Sequence, residues 1–232
     1  MSTQESSIGP KMRNRRPRSE RRRFGPGSAG LLLTPEEFDA ISHDQCDRRH
    51  RYELIRGVLV VSPMAGRSQT SPNDYLAYLL WNHHQTHPQG SVLDDTCHEY
   101  EVPLGENRRR CDRAIWIGET QPIDESALPT IVIEFVSSRK RDFLRDYETK
   151  RDEYLAAGIQ EYWVIDWYRR IMTVYKAGAE GPVSTVVQEN EPYQTDLLPG
   201  FVLPIAPLFA RADRLPKKTR RTPKKPPAPG AE

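Results

Sequence analysis

Cysteine is scarce in this chain of 232 residues: Cys46, Cys97 and Cys111 are the whole complement. An odd count without a close pair excludes a disulfide framework and a cysteine-based zinc finger. Long apolar runs are missing too. No stretch approaches the length of a membrane span, and the polar, arginine-rich N-terminus has no apolar segment of the secretory kind. A reducing cytoplasm is therefore the expected compartment, with no membrane association. Internal repeats are absent. Large apolar side chains are nearly missing from both ends, so the ends cannot bury enough surface to offset their ordering entropy.

What the ends contain instead is positive charge. Residues 1–23 carry eight Lys and Arg against two acids, and residues 211–232 carry eight against two. The segment between them holds 18 basic and 28 acidic residues, a net of −10 that the overall +2 conceals. The expected organisation is a basic disordered arm over 1–28, one folded domain over 29–210, and a basic Lys/Pro-rich tail over 211–232. Such arms suit phosphate contacts by counterion release, and they would help an acidic body approach a polyanion. Thr222-Pro223-Lys224-Lys225 resembles the basic elements of chromatin tails that favour the minor groove. The bland reading is a pair of solubilising tails.

Within the body, Thr34-Pro35-Glu36-Glu37 spells a helix start with a capping box, for a short helix ending near His43. Tyr52 to Val61 alternates and bends at Gly57, which predicts two strands or a helix end running into a strand. Ser71-Pro72 predicts a second helix start, with Tyr75, Leu76, Leu79 and Leu80 on its apolar side and an end near His87. An edge strand is expected at Glu99–Val102, and further strands at 112–117 and 130–136. A long helix over about 142–157 stops at Gly158. Strands at 161–166 and 170–175 should pair as an antiparallel hairpin, followed by short strands and turns to Phe209. This order describes an α/β sandwich with a mixed sheet and one βαβ crossover.

The residues that carry chemistry stand in this frame. Glu134 interrupts the apolar run Thr130-Ile131-Val132-Ile133-Glu134-Phe135-Val136. An unpaired carboxylate there would cost several kcal/mol, roughly, so a partner is required. Asp112 opens the preceding apolar strand, on the face of Ala114 and Trp116. Lys150 lies on one helical stripe with Asp146 and Tyr154. If the two strands are neighbours, their acids converge at one end of the sheet and Lys150 points back at them. Two strand-borne acids and a lysine suit metal-assisted hydrolysis of a phosphate ester, because Mg2+ binds through one or two carboxylates plus substrate phosphate. Glu53 is a candidate third carboxylate. Each residue alone has a plainer reading: Asp112 as a strand-end acid, Lys150 with Asp146 as a surface ion pair. His83 and His87 stand at a zinc-compatible spacing, but exposed helix-end histidines are the simpler account. Arg108-Arg109-Arg110 reads equally as a phosphate contact or a solvated loop.

Several fragments together resemble a known family. They are Tyr52-Glu53-Leu54-Ile55-Arg56-Gly57, Val61-Ser62-Pro63, Cys111-Asp112, the Glu134 strand through Ser137, Asp146-Tyr147-Glu148-Thr149-Lys150, the run Tyr154 to Asp166, and Leu198-Pro199-Gly200. In this order, across about 31–210, they are similar to the Uma-type family of "putative restriction endonucleases" within the PD-(D/E)XK nuclease superfamily. The resemblance implies a restriction-endonuclease-like mixed sheet flanked by helices, dependence on Mg2+ or Mn2+, and DNA as substrate. It implies Asp112 and Glu134 as metal ligands, Glu53 as the upstream acid, and Lys150 as the catalytic lysine moved from strand to helix. Two departures stand out: Cys111 replaces the usual proline, and Val136 occupies the position where the superfamily motif places lysine. The resemblance also raises a homodimer, by which such enzymes reach both strands. Its alternatives are a catalytically weak or inactive DNA-binding protein on the same scaffold and an RNA-directed nuclease.

Overall fold

A computed structural model describes residues 22–119, 123–124, 126–136 and 145–215. Most of both basic arms lies outside the described residues, as does the first part of the expected 142–157 helix. Residues 22–28 and 211–215 are described. Phe24 is buried beside Phe38, Tyr52, Leu54 and Leu59, and Ala212 is fully buried.

Helix α1 (Pro35–Asp39) begins with the expected reciprocal cap. The Glu37 amide donates to Thr34 Oγ1 at 3.2 Å and the Thr34 amide donates to Glu37 Oε2 at 2.9 Å. It stops four residues before His43, giving way to a turn at Ser42, whose side chain bonds Asp44 and Gln45. Strands β1 (His50–Ile55) and β2 (Val58–Pro63) form an antiparallel hairpin. Its two-residue loop has both φ angles positive, 51° at Arg56 and 75° at Gly57, the primed turn that matches strand twist. With β4 (Glu101–Leu104) and β5 (Asn107–Arg110) they make a four-stranded sheet in the order β2-β1-β5-β4, so β4 is an edge.

The larger sheet has six strands. They are β3 (Leu93–His98), β6 (Arg113–Ile117), β7 (Ile131–Phe135), β8 (Glu161–Asp166), β9 (Ile171–Gly178) and β10 (Gly181–Gln188), in the order β10-β9-β8-β7-β6-β3. Among the described strands of this sheet only β7 and β8 pair in parallel, joined by the crossover that contains α3 (Lys150–Ala156). The expected β8–β9 hairpin forms in antiparallel register. Residues 145–149 make a π-type turn leading into α3.

Alternation along the central strands sends two sets of side chains to opposite faces. Ile131, Ile133, Trp163 and Ile165 meet Leu76 and Leu80 of α2 (Arg67–Thr86), together with Ile205, Leu208, Phe209 and Ala212 of α4 (Ile205–Asp213). Val132, Tyr162 and Val164 face Tyr154 of α3. The sheet is thus a middle layer, buried on both sides.

Three expectations are corrected. Helix α2 begins at Arg67, ahead of Ser71-Pro72, because the Gly66 amide finds Gln69 Oε1 at 3.3 Å and starts the helix one turn earlier. The Pro72 ring is accommodated inside it. A helix, α4, replaces the turns expected before Phe209; its buried residues fall at the i, i+3, i+4, i+7 positions of an amphipathic helix. Arg108, Arg109 and Arg110 lie on a strand with internal partners. They pair with Asp39, Glu153 and Glu101, and Arg109 is 1 % exposed.

Candidate active site

Glu134 belongs to the face of β7 that carries Val132 and Val136, which looks at α3. That orientation settles its partner. Lys150, in the first turn of α3, is 1 % exposed and reaches Glu134 Oε1 at 2.6 Å. The same ammonium lies 3.6 Å from Glu53 Oε1 and donates to the Arg110 carbonyl at 2.9 Å. Glu53 arrives from β1 of the smaller sheet, and its Oε1 also accepts the Arg110 amide at 3.2 Å. The backbone of Arg110 therefore holds both the lysine and the upstream acid.

Asp112 stands just before β6. The antiparallel register pairs Arg113 with Ile133, so one step further sets Asp112 opposite Glu134. Its Oδ2 accepts the Phe135 amide at 2.7 Å and its carbonyl accepts Asn73 Nδ2 at 2.8 Å. Asn73 in turn accepts from Arg113 Nε at 2.6 Å, and Gln69 Nε2 donates to the Phe135 carbonyl at 2.8 Å. Helix α2 thus clamps the strand ends that carry both acids.

The structure brings Glu53, Glu134 and Lys150 into one buried cluster and sets Asp112 beside it. The Asp112 carboxylate is met by Arg51 and the Phe135 amide rather than by Lys150. Its Oδ1 accepts from Arg51 Nη2 at 2.7 Å, and the same nitrogen pairs with Glu99. Neither Arg51 nor Glu99 was reached from the sequence. Arg51 is two residues from Glu53 on β1 and shares its face, a signal the pattern did contain. Glu99 carries φ 52°, a left-handed backbone that is costly for a residue with a Cβ.

Electrostatics follow from burial. Desolvation opposes the Arg51 charge, but Asp112, Glu99 and Glu134 more than offset it and hold the guanidinium above its ordinary pKa. Desolvation pushes the Glu99 carboxyl up, against the pull of Arg51. Burial likewise pushes the Cys111 thiol and the Tyr154 phenol well up, with Glu134 adding to both.

No three His, Cys, Asp or Glu side chains close into a ready metal cage among the described residues. A hard cation such as Mg2+ does not need one; one or two carboxylates suffice, the rest being water and phosphate. The donor set suits it, because carboxylate oxygens of Asp112 and Glu99 already converge on a single cationic nitrogen. The histidines do not form a second centre. His83 and His87 stack at 4.7 Å between ring centroids, and His83 is buried against Phe201 rather than exposed.

A mixed six-stranded sheet between helices, with buried acids from β1 and β7 meeting a helix-borne lysine and Asp112 beside them, defines a mixed α/β fold. The fold matches the crystal structure of a "putative nuclease belonging to DUF820" from Anabaena variabilis ATCC 29413. The TM-score is 0.61 at 16 % identity, covering 78 % of this chain and 99 % of that one. Residues 35–206 match the family model described as "Uma2: Putative restriction endonuclease", and the chain belongs to that family. None of the curated proteins matches the sequence. No helix among the described residues is long and apolar enough to cross a membrane.

Proposed function

We propose that this protein is a Mg2+- or Mn2+-dependent endonuclease that hydrolyses phosphodiester bonds of DNA. The observation that carries the reading is Lys150. An ammonium buried to 1 % exposure, in contact with two carboxylates from different sheets, is costly to build for stability alone. Family membership supports the nuclease class.

Asp112 and Glu134 would hold the divalent ion, which when bound supplies Lewis-acid polarisation of the phosphate and a more acidic water. The Lys150 Nζ, placed between Glu134 and Glu53, would present N–H donors to the attacking water and to negative charge developing on the phosphate. Glu53 fixes the lysine from the opposite side. In the reaction, water adds to phosphorus, one P–O ester bond breaks, and the leaving oxygen takes up a proton. The basic arms would contact backbone phosphates away from the cut, and a homodimer would allow both strands to be reached.

One observation favours the second reading, a DNA-binding protein with little or no catalysis: the acids are already met by the chain's own cations, Lys150 and Arg51. Supercoiled plasmid with Mg2+ or Mn2+ separates the two. Nicking that disappears with Glu134→Ala or Asp112→Ala, and with chelator, is the expected result. A drop of at least about 10²-fold is anticipated for removal of such a group. Cleavage unchanged in both variants would refute the assignment; DNA binding without any cleavage would favour the second reading.

A further inference from the structure

Arg51 sits where a cation is wanted. Its Nη2 donates to Asp112 Oδ1 at 2.7 Å and to Glu99, so two carboxylates share one nitrogen. The attachment is one-legged. A guanidinium that grips a carboxylate through two parallel N–H bonds is held far more firmly, and here Nε is buried with no hydrogen-bond partner among the described residues. Glu99 Oε2 is likewise buried without one. The arrangement leaves donor and acceptor capacity unused on both sides, as an interim pairing would.

The surroundings give the side chain somewhere else to go. Arg51 lines a cleft of about 600 Å3, together with Arg48, His50, Tyr52, Met64 and Glu101. The Arg51 and Glu99 side chains are 12 % and 15 % exposed, whereas those of Asp112, Glu134 and Lys150 are 4 %, 3 % and 2 % exposed. Arg51 therefore borders the open cleft and is less deeply buried than Asp112, Glu134 and Lys150. Glu99 is fixed where it is by the backbone: its amide donates to the Asp112 carbonyl at 3.1 Å and its φ is left-handed. When the arginine swings away, two fixed carboxylates are left facing each other and need another cation.

We propose that Arg51 is an internal cation that occupies the acid pair Asp112–Glu99 until a divalent ion displaces it into the cleft. Arg51 then sets the ion concentration at which the site fills, and Glu99 is an acid of the filled site. This rests on the metal-dependent reading above. A competing internal cation lowers apparent affinity by the fraction of molecules in which it has left the site. If that fraction is roughly one in ten, removing the competitor tightens ion binding about tenfold.

The test measures free Mn2+ by electron paramagnetic resonance during titration of the full chain, with no DNA present. Arg51→Met and Arg51→Gln should each bind Mn2+ about tenfold more tightly than the natural protein. The glutamine variant retains an N–H donor for Asp112, which guards against a folding failure in the methionine variant. In the unmutated protein, phenylglyoxal labelling followed by mass spectrometry should find Arg51 shielded in chelator and reactive once Mn2+ is added. Equal or weaker Mn2+ binding by both variants, or Arg51 labelling that ignores Mn2+, overturns the displacement role while leaving the metal reading intact. Mn2+ binding that survives Asp112→Ala and Glu134→Ala unchanged overturns the metal reading, and this inference with it.

Discussion

Replacing Lys150 by methionine tests the centre most directly, through stability as well as chemistry. The substitution keeps most of the apolar stem and removes the ammonium with its charge and its N–H donors. The lost contacts are 2.6 Å to Glu134, 3.6 Å to Glu53 and 2.9 Å to the Arg110 carbonyl. With an effective dielectric near 20, the two ionic contacts amount to about 6 and 5 kcal/mol of gross attraction. Desolvating the three charges consumes much of that. What remains after the amine is removed is a pair of carboxylates buried at 2 % and 3 % exposure with no ammonium between them. Breaking a buried pair from one side costs about 3–5 kcal/mol. Urea unfolding in chelator should then show the midpoint falling by about 1.5–2.5 M, taking a slope near 2 kcal/mol/M. Plasmid nicking should vanish in the same protein. The double variant Lys150→Met with Glu134→Leu should be more stable than Lys150→Met alone, because an apolar replacement relieves the orphaned charge. A Lys150→Met midpoint within about 0.5 M of the natural protein would refute the ion-pair account, since a slope of that size converts it to only about 1 kcal/mol.

Three further outcomes follow from other places in the fold. Glu161, 1 % exposed, accepts from Trp163 Nε1, Tyr193 Oη and Thr195 Oγ1 at 2.7, 2.9 and 2.6 Å and pairs with Lys176 at 2.7 Å. Glu161→Ala strands all three donors and should lower the melting temperature by about 10 °C, the equivalent of some 3–4 kcal/mol in a domain of this size; a calorimetric shift under about 3 °C would count against that network. Burial lowers the pKa of His83 in the fold, with His87 and His84 adding to the effect. The unfolded chain therefore binds more protons, and the stability that a neutral His83 provides is present above its unfolded pKa, near 6.5, and lost as pH falls below it. His83→Leu should flatten the decline in urea midpoint between about pH 6.5 and 5; an unchanged slope speaks against it. Cys111 is fully buried and its thiol is pushed well up by desolvation. At pH 8 it should react with a disulfide reagent only as fast as the protein unfolds, and rapid reaction in the native state would contradict the burial.

Some of this could be read from residue order alone. Glu134 in an apolar strand announced a buried partner, and the partner is the helix-borne lysine singled out by its helical stripe and by the family resemblance. The strand pairings around β7 and β8 followed from apolar runs bounded by turn residues, and the cap at Thr34 from its local chemistry. These are short-range signals, or consequences of two-fold and 3.6-fold periodicity. Arg51 was legible only as a residue on the face of Glu53, and its pairing with Glu99 not at all, because nothing local requires an arginine on one sheet to meet an acid 48 positions later. Helix α4 was missed because Pro204 and Pro207 read as turn residues, although its apolar spacing was helical. The start of α2 was displaced by trusting proline as a first-turn marker, whereas the Gln69 cap decides it. For the arginines at 108–110, a charge run on a predicted loop turned out to be a strand whose cations serve internal acids.

The centre is assembled from distant stretches. Arg51 meets Asp112 across 61 positions, Glu53 meets Arg110 across 57, and Lys150 meets Arg110 across 40. Its one parallel pairing, β7 with β8, closes only after the whole crossover exists. Non-local pairings of this kind are slow to form, since chain must be looped before any contact rewards it. At about 5–20 residues per second of synthesis, several seconds separate the emergence of Glu53 from that of Lys150. During that interval the growing polypeptide displays unsatisfied acids and bare strand edges, so the ribosome-bound stage is where this protein is most exposed to aggregation.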